Sequence, residues 1–262
     1  MGIEGAAIAT VISRYAELAI VAFWTHAHSH RNIFIRGAYR SIYIPGKLFR
    51  SIVTKGMPLL INEFLWASGM AILNQCYSTC GLDVVPAMNI SSTLYNLGSV
   101  VFLSMGNSVG ILMGQLLGAG TPEAELRDYN RKLLFTSVTA GGFFGIVMIA
   151  LSGAFPLLYN TTDSVRHLAT QLICVSACMM PFNSYTNATY FTLRSGGQTM
   201  VTFLFDSCFV WGCCVPIAFC LSRFTGIGIL PLYIICQGTD FIKCALGAYM
   251  LKQGKWIQNL TQ

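Results

Sequence analysis

Charge is what this chain has least of. Asp, Glu, Lys and Arg make up 10% of its 262 residues, against about 25% in ordinary soluble domains. That scarcity excludes a solvated globular surface. Catalytic strings are scarce too: there is no HExxH zinc motif and no acid-rich Mg²⁺ motif, which argues against an embedded protease or prenyltransferase. An enzyme is therefore not expected, and neither a cofactor nor a resident metal is implied. There is no CxxC pair; Cys76, Cys80, Cys174, Cys178 and the other six cysteines fall in or at the ends of apolar segments. They read as small, oily helix-packing residues and not as a disulfide framework. A secretory signal peptide is missing as well, because Glu4 precedes the first apolar stretch and Arg14 and Glu17 interrupt it.

What the chain does have is apolar length. Hydrophobic residues are 54% of the total and the mean hydropathy is +0.60. The pattern predicts an all-α integral membrane protein, since lipid offers the backbone no hydrogen-bond partner. Residues 1–24 read as the end of a membrane helix. A basic cytoplasmic loop over 25–53 follows. Then comes a six-helix lobe over 54–253, with spans at about 54–79, 84–113, 132–158, 165–192, 199–222 and 227–251, and a cytoplasmic tail over 254–262. The loop carries Arg31, Arg36, Arg40, Lys47 and Arg50, with Lys55 just beyond it, and no acid. If it is cytoplasmic, alternation places twelve of the sixteen basic residues on that side and leaves Arg166 and Arg223 opposite. The formal charge of +6 is thus an orientation signal and gives no reason to expect nucleic acid. His26, His28 and His30 alternate in that loop; a solvated loop fits them better than a metal site.

Polar residues inside the spans carry the functional signal. Glu63 lies in the run Met57 to Asn74, where a carboxylate costs on the order of a few kcal/mol to insert. It needs a partner, a proton, a cation or a watery cavity. Glu63, Trp66, Met70 and Asn74 share one helix face. Asn89, Ser92, Asn96 and Asn107 share another, and Asn183, Asn187 and Tyr190 a third. Unpaired amides in hydrocarbon are expensive, so these faces meet other helices or water. Two readings stay open: interhelical hydrogen bonding, or a cavity lined by amides and aromatics that suits amphipathic or cationic ligands. Asp240 and Lys243, at i,i+3 in the last span, read as a structural or gating pair, and Arg194 as a charge of the same kind. Asp206, about two turns into the fifth span, is open between pairing with Arg194 or Lys243 and carrying cations.

Several strings together resemble the second half of the multidrug and toxic compound extrusion family. They are Gly5 to Arg14, Met57-Pro58 with Asn62-Glu63, Trp66 and Gly69, Ala87 to Thr93, Gly114 to Gly120, Arg194 to Thr199 with Asp206, Trp211 and Pro216, and Lys255 to Thr261. The resemblance covers essentially the whole chain. It implies a protein of two six-helix lobes around a central cavity, exchanging cationic drugs or metabolites for Na⁺ or H⁺. It implies that Glu63 is a coupling acid; Asp206, by its place in the fifth span, is the second candidate for carrying the cation. Trp66, Met70, Asn74, Asn89, Asn96, Asn183, Asn187 and Tyr190 would line the substrate cavity. Two departures stand out. The span at 165–192 has no acid, where some members carry one, and the first lobe is missing. The expectation is a C-terminal half in the bacterial inner (plasma) membrane, with its C-terminus cytoplasmic. Its expected partners are the bilayer, a small organic cation, and the missing lobe or a second chain. A lipid-linked oligosaccharide flippase and a non-transporting half-protein are the alternatives; the polar seams lack Lys and Arg, which favours the drug-type reading.

Overall fold

The structure, a computed structural model, describes residues 3–32, 35, 46–197, 203–254 and 256–257. No strand occurs among them. The chain divides into two compact units, Met1–Met57 and Pro58–Gln262.

The first unit holds α1 (Ile3–Ala27) and the beginning of α2 (Gly46–Ser78). The sequence suggested only the end of a span at the N-terminus. The structure instead gives a helix whose stretch Ala7–Ala27 is long and apolar enough to cross a membrane, since 21 residues at 1.5 Å each cover a hydrocarbon core of about 30 Å. Its two interior charges answer each other, Arg14 Nη1 lying 2.9 Å from Glu17 Oε2. His26 and His28 bond back to the carbonyls of Ala22 and Trp24.

The second unit contains the rest of α2, then α3 (Val84–Gly118), α4 (Glu123–Leu151), a 3₁₀ turn (Phe155–Leu158) and α5 (Asp163–Ser195). Two π-helical turns, Leu204–Cys208 and Val210–Cys214, lead into α6 (Val215–Phe224). The last span, Ile229–Gln253, keeps a right-handed helical backbone through the turn residue Thr239, which separates α7 (Ile229–Gly238) from α8 (Asp240–Gln253). The helices overrun the expected spans. α2 starts at Gly46, inside the segment read as loop, and α4 at Glu123, inside what read as a charged connection. In α4 the reason is local: Glu123–Arg127 and Asp128–Lys132 are i,i+4 ion pairs at 2.7 and 2.6 Å, which support a helix above the apolar zone.

α5 is the centre, packed against α3, α4 and α8. Small residues set the approach. A side chain at Gly98 or Gly106 of α3, or at Gly141 or Gly145 of α4, would meet α5 atoms at once, as expected where backbones pack closely. Polarity is inverted relative to a soluble bundle. On α4, Asn130 and Ser137 are buried while Phe135, Phe143 and Ile146 are exposed. Thr192 donates to the buried Asn130 Oδ1 at 2.9 Å. An apolar exterior this extensive is stable only in an apolar medium. By length and composition, Ala7–Ala27, α3, α4 and Ile229–Gln253 can cross a membrane. α2 and α5, at 33 residues each, have the length, and their apolarity is diluted by the polar seams. The protein is an all-α, multi-pass membrane protein.

Candidate functional site

The seams of the second unit meet around a cavity of about 650 Å³, within the usual range for small-molecule sites. α2 contributes Trp66, Met70, Asn74 and Tyr77, recurring every three or four residues down one face. α3 adds Ser92, Tyr95 and Asn96. α5 adds Asn183, Asn187, Tyr190 and Arg194. The π-helical stretch supplies Phe205, Val210 and Cys214, and the last span supplies Tyr233, Gln237, Asp240 and Lys243.

The walls are internally bonded. Asn183 Nδ2 donates to the Tyr95 hydroxyl at 3.2 Å. Gln237 Nε2 donates to the Tyr233 hydroxyl at 3.0 Å, which also meets Ser176 Oγ at 2.9 Å. The Tyr77 and Tyr233 rings stand edge to face, 5.7 Å between centroids. Asn187 Oδ1 is buried against Gly106 and takes no hydrogen bond among the described residues. Asp240 Oδ1 and Lys243 Nζ are 3.1 Å apart, with side chains 18% and 19% exposed. Lys243 Nζ also sits 4.7 Å from the centre of the Phe209 ring. Aromatic faces and fixed amides can hold a flat or bulky organic molecule, and among the described residues the charged groups in the wall are Asp240, Lys243 and Arg194.

Of the residues read as cavity-lining, Trp66, Met70, Asn74, Asn96, Asn183, Asn187 and Tyr190 lie in the wall. Asn89 does not. It stands about 100° round α3 from the cavity-facing Met88 and lines a separate depression with Pro86, Thr93 and Asn160. Asn107, on the same seam, is exposed. Glu63 is also outside the wall: it is exposed, one turn before Trp66 on the cavity face of α2. Among the described residues, the acid in the cavity wall is Asp240. The Asp206 side chain lies outside the described residues, though its backbone is in the first π-helical turn. Arg194 and Lys243 both line the cavity, so the absence of bases from the seams does not extend to the site itself.

Sequence reasoning missed Tyr77, Tyr95, Tyr233 and Gln237. Tyr77 follows Asn74 by three residues on the same face, so the α2 seam already pointed to it. It also missed Gly106-Asn-Ser-Val-Gly110, which spells Gly-x-Ser-x-Gly. That string lies in the middle of α3, where Ser108 donates to the Ser104 carbonyl at 2.9 Å. A nucleophile elbow needs a strand-to-helix turn, so the match carries no catalytic meaning.

Known proteins give the arrangement a context. The chain is 23% identical to the probable multidrug resistance protein YoeA of Bacillus subtilis over 89% of its own length and 50% of the relative's. It is 20% identical to the probable multidrug resistance protein NorM of Thermotoga maritima over 98% of this chain and 54% of that protein. With NorM of Idiomarina loihiensis the identity is 25%, over 79% and 40%. The chain thus spans about half the length of the curated relatives it matches. No solved structure matches it. The MatE family model, by contrast, matches residues 58–220, which is more than half of the chain and includes α2 from Pro58, α3, α4 and α5, and on that match the chain belongs to the MatE family.

Proposed function

We propose that this chain is one lobe of a cation-coupled antiporter that exports drugs or organic cations, with Na⁺ or H⁺ as the coupling ion. The observation that carries the reading is the 650 Å³ cavity of aromatics and amides with Asp240 in its wall. The printed names of the relatives, multidrug resistance proteins, support it. Glu63 is the coupling carboxylate, held on the cavity face of α2 just beyond the wall, and Asp206 is the second candidate. Binding an ion at Glu63 favours one access state, substrate favours the other, and that differential is what couples them. The membrane potential adds about 2.3 kcal/mol per charge per 100 mV. The chain sits in the plasma membrane with its C-terminus cytoplasmic, as the loop charges indicate, and a second lobe or a second chain completes the transport path.

The test is reconstitution of the chain in liposomes, with tetraphenylphosphonium as the probe, under an imposed pH or Na⁺ gradient. Binding without flux supports a lobe that needs its complement. Gradient-driven flux by the chain alone supports the antiporter and overturns the need for a complement. Failure to bind organic cations at all overturns the functional reading.

A further inference from the structure

The last membrane span holds a charge arrangement that a purely structural ion pair does not require. Asp240 and Lys243 stand in the wall of a large cavity, each still about one-fifth exposed. Asp240 directly follows Thr239, where the span passes from α7 to α8 with its backbone still right-handed helical. Lys243 also rests against an aromatic face, its ammonium 4.7 Å from the centre of the Phe209 ring, a cation–π distance. Asp240 rides on one short stem; Lys243 rides on four methylenes and rotates freely. One partner is therefore held close to its backbone, while the other has the reach to swing aside. Around them stand Tyr95, Tyr233 and Gln237, offering ring faces and an amide to whatever enters.

We infer that Asp240 is the carboxylate that recognises the cationic centre of the substrate, and that Lys243 is a tethered stand-in for that cation, swung off the carboxylate when the substrate binds. The inference rests on the reading of the cavity as a site for organic cations, and it names the residues that set the site's charge preference. In the empty cavity Lys243 neutralises Asp240, so that carboxylate does not face the apolar walls uncompensated. A neutral ligand cannot displace the ammonium. A cation gains Asp240 only if its apolar body also fills the aromatic walls, which compensates for losing the tethered competitor. The pair thus admits bulky monocations and rejects neutral molecules of the same shape.

A structural pair and a displaceable one predict opposite signs. If the pair only braces α8, removing Lys243 strands a carboxylate and weakens everything nearby. If Lys243 is a competitor, removing it strengthens cation binding. The probes are tetraphenylphosphonium and tetraphenylborate, alike in shape and opposite in charge, titrated against the full chain in detergent. Lys243→Met is expected to raise tetraphenylphosphonium affinity roughly tenfold and Asp240→Asn to lower it by a similar factor, the scale of one charge contact in a partly screened site. Tetraphenylborate responds in the reverse sense. Lys243→Arg keeps the pair and grips it more firmly, so the chain stays folded and phosphonium affinity falls. Equal affinity for the phosphonium in the parent, Lys243→Met and Lys243→Arg overturns the inference while leaving the cavity reading intact. Loss of binding in Lys243→Met with a folded protein overturns it too. Absence of phosphonium binding in the parent and in every variant overturns the inference and the cavity reading together.

Discussion

Ser207 Oγ lies 2.7 Å from Oδ1 and 3.0 Å from the backbone oxygen of Asn62, in a buried contact between α2 and the first π-helical turn. Both side chains are almost fully enclosed. Ser207→Ala removes the donor and leaves the amide oxygen of Asn62 without it. The expected cost is about 1 kcal/mol, the usual scale for a side-chain hydrogen bond between membrane helices. Thermal unfolding of the detergent-solubilised protein checks it; an unchanged transition would show that the contact is incidental.

Gly106 and Gly114 lie on one stripe of α3 and behave oppositely. A Cβ at Gly106 would collide with Asn187 Oδ1 and lie 2.8 Å from Phe191, whereas one at Gly114 meets nothing. Gly106→Ala is expected to destabilise by about 1–3 kcal/mol through overpacking and to shift Asn187 in the cavity wall. Gly114→Ala should be neutral or slightly stabilising, since it improves helix propensity in open space. Paired unfolding curves decide the matter, and equal effects would sink it.

The C-terminal end is anchored by Trp256, 1% exposed among Leu126, Leu193 and Leu251. Its indole donates to the Leu251 carbonyl at 3.1 Å. The turn that delivers it needs Gly254 at φ 72°, and Gly196 leaves room for the Trp256 carbonyl. Trp256→Ala should cost about 3–5 kcal/mol as a large core truncation. Limited proteolysis should then release the tail faster, and unaltered cleavage would contradict the anchoring role.

Glu63 separates coupling from binding. In whichever assembly carries flux, Glu63→Gln should abolish gradient-driven transport and leave phosphonium affinity unchanged. Glu63→Asp should keep part of the flux, because it keeps the carboxylate on a shorter stem. Transport by Glu63→Gln equal to the parent would move the coupling role to Asp206 or to the other lobe.

Topology is open to a direct measurement. Reporters placed after Gln262 and within the 25–53 loop should both read as cytoplasmic, and one near Asn160 as the far side. Opposite readings for the first two would overturn the orientation drawn from the basic residues.

The sequence revealed the faces of single helices better than their meeting. Asn74, Asn96 and Asn187 were legible because an amide every three to four residues in an apolar run has one physical excuse, a polar neighbour. Tyr233 and Gln237 were not legible, since the run Ile229–Cys236 is apolar all round and only packing against α5 decides which side faces inward. Asn89 misled because it shares a seam with Asn96 yet lies at the edge of the face that α3 turns inward. Helix ends were set by ion pairs such as Asp128–Lys132, which an apolarity profile discards as loop. Asp240 was read as part of a brace, and only the packing of α8 beside α5 shows that it opens onto space.

The two π-helical turns carry a consequence for how this wall is specified. Its cavity residues are Phe205, Val210 and Cys214, a first interval of five where an α-helix would give three or four. The direction in which Phe205 points relative to Cys214 is therefore fixed by how many residues the backbone holds between them, more than by which residues they are. Losing a single residue there would rotate Phe205 by about 100° away from the position it now holds. In this wall, substitution tunes the surface, and a change of chain length re-aims it.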